Sequence, residues 1–250
     1  MTARRDTARQ IREIPPDRED GSSSWVHQAL ILTGRLGTIP PVLLIPLLMG
    51  WVLLTAQMWP SRRWIAGLTA TLFVLVDWGM LALLPLMSRS WGPVTPSLLG
   101  LALVRFLLYA SGLVLGQTPV GLPLILTAQV ALSGIAAYAT WIEPFDVVTT
   151  RQTLELDDWR AEPLRVLQLS DIHFERPSPR ETAVLREIDA LNPDLIVLTG
   201  DYLNLSSVYD PDAQAGLRAF LEKLHAPLGV YAITGSPPVD VPGIVPEVLQ

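Results

Sequence analysis

Four long apolar runs limit what this sequence can fold into more than any other feature. Each is close to the ~20 residues that a helix needs to cross a bilayer. Most tryptophans in this region lie near the ends of the runs, where indole rings prefer the membrane interface. Short segments rich in turn-forming residues separate the runs, which favours antiparallel neighbours. The runs are Ile39–Trp59, Trp64–Met87, Ser97–Gly116 and Gly121–Ile142.

This pattern predicts a multi-pass α-helical membrane bundle of about four spans. A set of buried helices in a soluble protein is the alternative, and four successive runs of this length disfavour it. Residues 1–38 are predicted to form a polar N-terminal tail and lead-in, because no apolar period runs through the mixed charges of residues 1–24. Residues 39–142 then form the transmembrane region.

Two charged residues interrupt the apolar runs near their middles, Asp77 in the second and Arg105 in the third. An isolated charge inside a membrane costs several kcal/mol, so pairing is the natural solution. We expect Asp77 and Arg105 to face each other as an intramembrane ion pair. A structural clamp is the favoured interpretation, and a proton or ion path through the bundle is the alternative.

The charge of the chain bears on its partners and its orientation. A net charge of −6 argues against nucleic acid, which recruits basic surfaces. An even number of spans places both ends of the chain on one side of the membrane. Arginine counts favour the cytoplasmic side for those ends. The arginines compared are Arg35, Arg89, Arg151 and those of the tail on one side, and Arg62 and Arg63 on the other.

The chain changes character after Phe145, and residues 147–250 are predicted to form a separate α/β segment. Short β-rich runs alternate with helical apolar spacing, an order that implies right-handed crossovers and a parallel sheet. The run at Leu195–Thr199 is fully apolar, which is typical of a strand buried on both faces. The predicted strands are Val147–Leu156, Leu164–Ser170, Leu195–Thr199 and Gly229–Thr234, and the predicted helices are Pro179–Leu191 and a second one capped by Asp210 with Pro211 at its first position.

Polar side chains directly follow two of these strands. Asp171 and His173 come after the first strand of the alternation, and Asp201 comes after the next. Because chemistry in parallel sheets gathers beyond the carboxyl ends of the strands, we expect the three side chains to converge. Carboxylate and imidazole ligands suit Mn²⁺, Fe²⁺ or Zn²⁺. The sequence therefore predicts a metal site, although an isolated Asp after a strand is often only a turn or cap residue.

Three motifs resemble the calcineurin-like metallophosphoesterases, most closely their bacterial membrane-associated branch. They are LQLSDIHF at Leu167–Phe174, DLIVLTGDYLN at Asp194–Asn204 and APLGVYAITG at Ala226–Gly235. The resemblance implies a four-layer α/β/β/α sandwich and a centre of two divalent metal ions. It also implies hydrolysis of a phosphomonoester or phosphodiester. By motif match, Asp171 and His173 would bind the first metal, and Asp201 would bridge both.

The chain departs from the family pattern after its third strand. Ser236 and Pro237 stand where the family has a metal-binding Asn and a catalytic His, and the chain has three histidines in total. Asn204, Ser236 and Asp240 are weaker candidate contributors to the site. We expect residues 147–250 to form only the N-terminal half of the family domain. A truncated chain and a degenerate, inactive family member are both consistent with this departure.

The leading functional hypothesis is a membrane-anchored, metal-dependent phosphoesterase in a bacterial plasma membrane. Its partners would be the lipid bilayer and a phosphate-ester substrate that could be lipid-linked, a suggestion that rests on proximity to the membrane alone. The alternative is an inactive phosphoesterase-like binding or scaffold protein, and transport through the bundle ranks third. We expect weak or absent hydrolysis by these 250 residues.

Overall fold

The computed structural model describes residues 25–115, 120–155, 162–237 and 239–249. The polar tail before residue 25 lies outside the described residues. The first half of the chain is helical, with α1 at Trp25–Gly37, α2 at Ile45–Met58, α3 at Arg63–Leu86, α4 at Val94–Leu115 and α5 at Gly121–Trp141. The second half alternates, with β1 at Val166–Leu169, α6 at Pro179–Leu191, β2 at Leu195–Leu198, α7 at Pro211–Leu221, β3 at Val230–Ala232 and α8 at Val245–Val248.

Four helical segments in the described part of the chain are long and apolar enough to cross a membrane by length and composition. They are Pro41–Met58, Pro60–Leu86, Val94–Leu113 and Gly121–Phe145. Large apolar side chains cover the outside of these helices instead of being packed inside. Exposed examples are Leu53, Leu68, Leu72, Leu107, Leu113, Leu124, Val130 and Ile135.

Helix α1 was not predicted from the sequence, which assigned this stretch to a lead-in. Its 13 residues are too few to cross a bilayer, so a search for apolar runs of about 20 residues does not find it. The helix contacts α4 and the short turn Leu205–Ser207 of the second half. It therefore connects the helical region to the α/β segment.

A buried ion pair lies inside the helical region. Arg105 Nε donates to Asp77 Oδ2 and Arg105 Nη2 to Asp77 Oδ1, both over 2.6 Å. The two side chains are only 3% and 1% exposed. Arg105 also donates to Gln129 and Ser133 of α5, and its guanidinium lies 4.7 Å from the centre of the Phe73 ring. This bidentate, fully hydrogen-bonded arrangement offsets the desolvation cost of burying both charges, and it joins α3, α4 and α5.

The α/β segment is built on a three-stranded parallel sheet of order β1-β2-β3. The predicted alternation of strands and helices is thus confirmed. Helix α6 has the predicted bounds and begins with a capping box formed by Ser178 and Glu181. Helix α7 begins as predicted, because the Asp210 side chain accepts the Asp212 N–H and Pro211 follows at the first position.

One face of the sheet packs against the helices of the segment. Ile196 and Leu198 of β2 are buried there with Ile188 of α6 and Leu217 of α7. The residues of β2 that point to the other face are only half-buried, and β3 is exposed along its length. The prediction that β2 is buried on both faces is therefore wrong for one face, which is only half-buried. The described residues hold this single sheet, whereas the resemblance implied a sandwich of two sheets.

The predicted leading strand is wrong for residues 147–155, which form no strand. Leu156, the last residue of that prediction, lies outside the described residues. β-Branched residues favour strands only where a neighbouring strand and a packing surface exist. Leu154 is 84% exposed, so no such surface covers it.

We predict that Asp77→Ala lowers the free energy of unfolding by about 3–5 kcal/mol, because it leaves the buried guanidinium of Arg105 uncompensated. Thermal unfolding in detergent measures the effect. Leu75→Ala is the matched control, since Leu75 lies on the same helix but is 60% exposed. Equal stability of the two variants would contradict the structural role of the pair.

Candidate metal centre

The chain segments that leave β1 and β2 continue side by side beyond the sheet. Backbone hydrogen bonds join them residue by residue, and Phe174 and Leu203 form a parallel β-bridge. These bonds run from Asp171 N to Gly200 O at 3.1 Å, from His173 N to Asp201 O at 3.0 Å and from Phe174 N to Tyr202 O at 2.8 Å. The two strand ends therefore form one paired loop structure at the carboxyl edge of the sheet.

The backbone of this loop structure is strained at three polar residues. Asp171, His173 and Asp201 have φ angles of 53°, 43° and 56°, in the left-handed region that residues other than glycine seldom adopt. Such conformations cost about 1–3 kcal/mol each and persist only where the surrounding structure enforces them. They are characteristic of ligand-binding and catalytic loops.

The strained residues bring their side chains together. Ligand atoms of Asp171, His173 and Asp201 all lie within 4.8 Å of one another. His173 Nε2 is 3.8 Å from Asp171 Oδ1 and 4.0 Å from Asp201 Oδ2. Two ligands at about 2.1 Å from one ion are at most about 4.2 Å apart, so these two separations fit a shared cation. The oxygen and nitrogen donors fit a divalent transition metal.

Two glycines allow Asp201 to reach its position. Gly200 has a φ angle of 105°, and a Cβ atom there would lie 2.3 Å from the Cα atom of Gly235. The loops after β2 and β3 are thus in direct backbone contact. Ser236 follows Gly235, and its N–H donates to Asp201 Oδ1 at 2.7 Å, while its hydroxyl donates to Oδ2 at 3.3 Å. Ser236 orients Asp201.

Asp240 occupies a different place from the one the sequence suggested. It is 2% exposed, and its carboxylate accepts backbone N–H groups from Asp201 at 2.8 Å, Tyr202 at 2.9 Å and Gly235 at 2.6 Å. Asp240 therefore does not join the three candidate ligands but holds the loops that carry Asp201. Burial, together with the negative charge of Asp240, raises the pKa of Tyr202 to about 12.

Comparisons with known proteins point to the same edge of the sheet. The sequence model of the calcineurin-like phosphoesterases matches residues 164–236, which include all three clustered side chains. Residues 164–236 are thus similar in sequence to the calcineurin-like phosphoesterases. Members of this family bind divalent metals, and the Asp171, His173 and Asp201 group lies where such a site would be.

Three curated relatives support this assignment. The chain is 34% identical to the UDP-2,3-diacylglucosamine pyrophosphatase LpxG of Chlamydia trachomatis, over 44% of this chain and 36% of that protein. It is 32% identical to LpxG of Chlamydia muridarum, over 47% and 36%. It is 31% identical to the uncharacterized metallophosphoesterase YkuE of Bacillus subtilis, over 40% and 35%. The chain thus spans about a third of the length of these relatives. No solved structure is significantly similar to it.

The α/β segment, called the phosphoesterase segment from here on, is joined to the helical region through Glu175. Glu175 was not among the residues predicted from the sequence. Glu175 is 8% exposed, and its Oε2 accepts Ser90 Oγ–H at 3.0 Å and Trp91 N–H at 2.6 Å. Its other oxygen, Oε1, accepts a hydrogen bond from the side-chain amide of Asn204. The amide nitrogen of Asn204 therefore serves this junction. No local pattern could have revealed the contact, since Glu175 and Ser90 are 85 residues apart.

A cavity of about 640 Å³ lies between the phosphoesterase segment and the helical region. One wall holds candidate site residues, and the opposite wall holds apolar helix ends and the α3–α4 turn. The first wall includes His173, Asp201 and Ser236, and the second includes Leu81, Leu84, Arg89 and Phe145. The candidate metal centre therefore opens towards the helical region.

Asp240→Asn should destabilise the segment by about 1–3 kcal/mol, because an amide cannot accept all three backbone N–H groups. Removing the charge should also lower the pKa of Tyr202 from about 12, while burial keeps it above its ordinary value of 10.0. Thermal unfolding and spectrophotometric titration measure the two effects, and Tyr202→Phe identifies the transition. Asp189→Asn, on the exposed side of α6, is the control. An unchanged Tyr202 transition would show that the charge of Asp240 does not raise the pKa of Tyr202.

The same pKa has a consequence for the wild-type chain. Because the pKa of Tyr202 is higher in the folded state than in the unfolded state, the unfolded state loses its proton first as the pH rises above 10.0. Tyr202 therefore makes the folded state progressively less stable as the pH rises from 10.0 towards about 12.

Glu175→Ala should loosen the junction by leaving the Trp91 N–H and the Asn204 amide without their acceptor. Losing one hydrogen bond to a charged group costs roughly 1.5–3 kcal/mol, so we expect amide hydrogen exchange in the α3–α4 turn to rise by at least about tenfold. Glu187→Ala is the control, because Glu187 is an exposed residue whose carboxylate accepts a hydrogen bond from the exposed Thr149. Unchanged exchange at Trp91 would show that Glu175 does not hold the turn.

Proposed function

We propose that this chain is the membrane-anchored, metal-binding part of a phosphoesterase that hydrolyses a lipid-linked phosphate ester. The observation that carries the proposal is the cluster of Asp171, His173 and Asp201, three strained residues whose ligand atoms lie within 4.8 Å at the tips of neighbouring strands. Structural turn residues have no need of three left-handed conformations that aim their side chains at one point.

In this proposal Asp171 and His173 would hold the first of two metal ions, and Asp201 would contribute to both. Mn²⁺, Fe²⁺ and Zn²⁺ all suit these donors. Bound divalent ions of this kind polarise a phosphoryl oxygen and lower the pKa of a bound water. The chain itself supplies orientation, because Ser236 fixes both oxygens of Asp201 and Asp240 fixes the backbone beneath it.

The lipid-linked substrate is supported by two independent observations. The Chlamydia relatives are named as pyrophosphatases of a diacylated sugar nucleotide, which combines acyl chains with a diphosphate. In this chain, the cavity beside the candidate site has apolar helix ends, including Leu81 and Leu84, on its opposite wall. An amphiphilic phosphate ester could contact both walls at once.

Membrane anchoring is supported by the surface of the helical region. Exposed leucine, valine and isoleucine side chains cover the outside of the four apolar helices, whereas the charged Asp77 and Arg105 are buried inside. That distribution is stable in lipid and unfavourable in water. We place the phosphoesterase segment on the cytoplasmic side, on the basis of the arginine distribution.

A phosphoesterase-like scaffold without activity is the second candidate function. Ser236 and Pro237 stand where the family resemblance expects Asn and His, and Ser236 already bonds Asp201. A scaffold would retain the fold and lose the metal. Metal binding therefore separates the two candidates.

We predict that the full chain in detergent binds Mn²⁺, measured by calorimetric titration. Asp171→Ala, His173→Ala and Asp201→Ala should each weaken Mn²⁺ binding by at least about 10–100-fold. Mutating a residue that only hydrogen-bonds a metal ligand already weakens metal binding by about that factor. Asp189→Ala is the control, because Asp189 is an exposed acidic residue on α6. No Mn²⁺ binding by the wild type would favour the scaffold, and equal binding by all four variants would show that Asp171, His173 and Asp201 are not the ligands.

A further inference from the structure

The cavity between the two halves of the chain contains positive charge as well as apolar surface. Arg89, Arg176 and Arg180 all line it. Two of these arginines are ion-paired within the phosphoesterase segment. Arg176 Nη2 is 2.7 Å from Asp210 Oδ2, and Arg180 Nη2 is 2.9 Å from Glu181 Oε1. Their charge is thus largely neutralised by neighbouring carboxylates.

Arg89 differs from them, because no carboxylate within the described ranges pairs with it. Its Nη1 donates to the backbone oxygen of Trp141 at 2.5 Å, and its guanidinium lies 4.4 Å from the centre of the Phe145 ring. These contacts fix the side chain at the helical wall of the cavity while leaving its charge uncompensated. A guanidinium carries several N–H donors in a planar fork that matches phosphate oxygens.

The wall that carries Arg89 is held against the candidate metal centre. Ser90 and Trp91, the next two residues, bond Glu175, which follows the Asp171–Phe174 motif directly. Glu175 is itself engaged in these bonds and in the bond from Asn204. Glu175 accepts these three hydrogen bonds and forms no ion pair with Arg89 in the described part of the chain, so Arg89 can bind an anion from the cavity.

We propose that Arg89 binds a second anionic group of the substrate, a phosphate oxygen, while the Asp171, His173 and Asp201 group takes the phosphate to be hydrolysed. Arg89 thereby makes the site prefer a diphosphate to a single phosphate. The preference for a diphosphate rests on the proposed function, because it requires that the Asp171, His173 and Asp201 group binds the other phosphate. The anion-binding role of Arg89 stands on its own contacts.

The test compares three non-hydrolysable probes: methylenediphosphonate, its dodecyl ester and dodecylphosphonate. Calorimetric titration of the full chain in detergent gives the dissociation constant of each, with Mn²⁺ and separately with EDTA. We expect Arg89→Gln to weaken binding of the dodecyl diphosphonate by about tenfold or more, the effect of losing a charge-assisted hydrogen bond. Binding of dodecylphosphonate should change by less than about twofold, because it lacks the second anionic group.

Two further variants control for folding and for charge. Arg89→Lys keeps the charge and a donor to Trp141 but loses the planar fork, so it should restore part of the diphosphonate affinity. Arg89 lies over the Trp141 ring, and Arg63→Gln removes an exposed arginine that likewise lies over a tryptophan, Trp64, but at the opposite end of α3. It should bind all three probes like the wild type. Thermal unfolding checks that each variant is folded.

The outcomes separate this inference from the proposed function. Folded Arg89→Gln that binds both diphosphonates like the wild type overturns the role of Arg89. An effect of Arg89→Gln that persists in EDTA and in Asp171→Ala supports that role even if Mn²⁺ binding fails. Tighter binding of the dodecyl ester than of methylenediphosphonate supports a lipid-linked anion. Equal affinity for the two overturns the lipid-linked source and leaves a free diphosphate.

Discussion

The candidate metal centre depends on one buried carboxylate that is not itself a candidate ligand. Asp240 accepts three backbone N–H groups, from Asp201, Tyr202 and Gly235, and so fixes the loop after β2 against the loop after β3. Hydrogen bonds to a charged acceptor are each about twice as strong as neutral ones. They supply the energy that the left-handed backbone of Asp201 requires. The strained backbone of Asp201 is thus stabilised by the charge of Asp240, which is buried and does not line the cavity.

Two further buried carboxylates organise the chain on a larger scale. Asp77 holds Arg105 inside the helical region, and Glu175 holds the α3–α4 turn against the phosphoesterase segment. Asp77 accepts two hydrogen bonds from Arg105 of α4, and Glu175 accepts three from Ser90, Trp91 and Asn204. Each carboxylate thus joins parts of the chain that are far apart in sequence and fixes their relative position. Because α3 carries Asp77 and leads into the turn that Glu175 binds, the two networks share one rigid helix. The helical wall of the cavity is therefore set by the same interactions that hold the bundle together.

The parts of this structure that local rules determine could be predicted from the sequence. The bounds of α6 and the cap of α7 follow from Ser178, Asp210 and the prolines after them. The convergence of Asp171 and Asp201 follows from the rule that parallel strands end at one edge. What could not be predicted depends on contacts between distant residues. Asp240 lies 39 residues from Asp201 and Glu175 lies 85 from Ser90, and nothing in their local sequence indicates either bond. The strand expected over 147–155 failed for the related reason that strand propensity has no effect without a partner strand.

Ser236 shows how a departure from a family pattern can be interpreted from its contacts. A serine in place of a ligating amide suggests a lost metal position, and its bonds to Asp201 could be thought to compete with a cation. An ionised carboxylate, however, offers about four lone-pair directions, and Ser236 occupies one on each oxygen. The remaining directions are available for metal ligation, and the two bonds restrict the rotation of the Asp201 side chain. Ser236 therefore weakens the case for a second, fully ligated ion without weakening the case for the first, because it orients the one carboxylate that both ions would share.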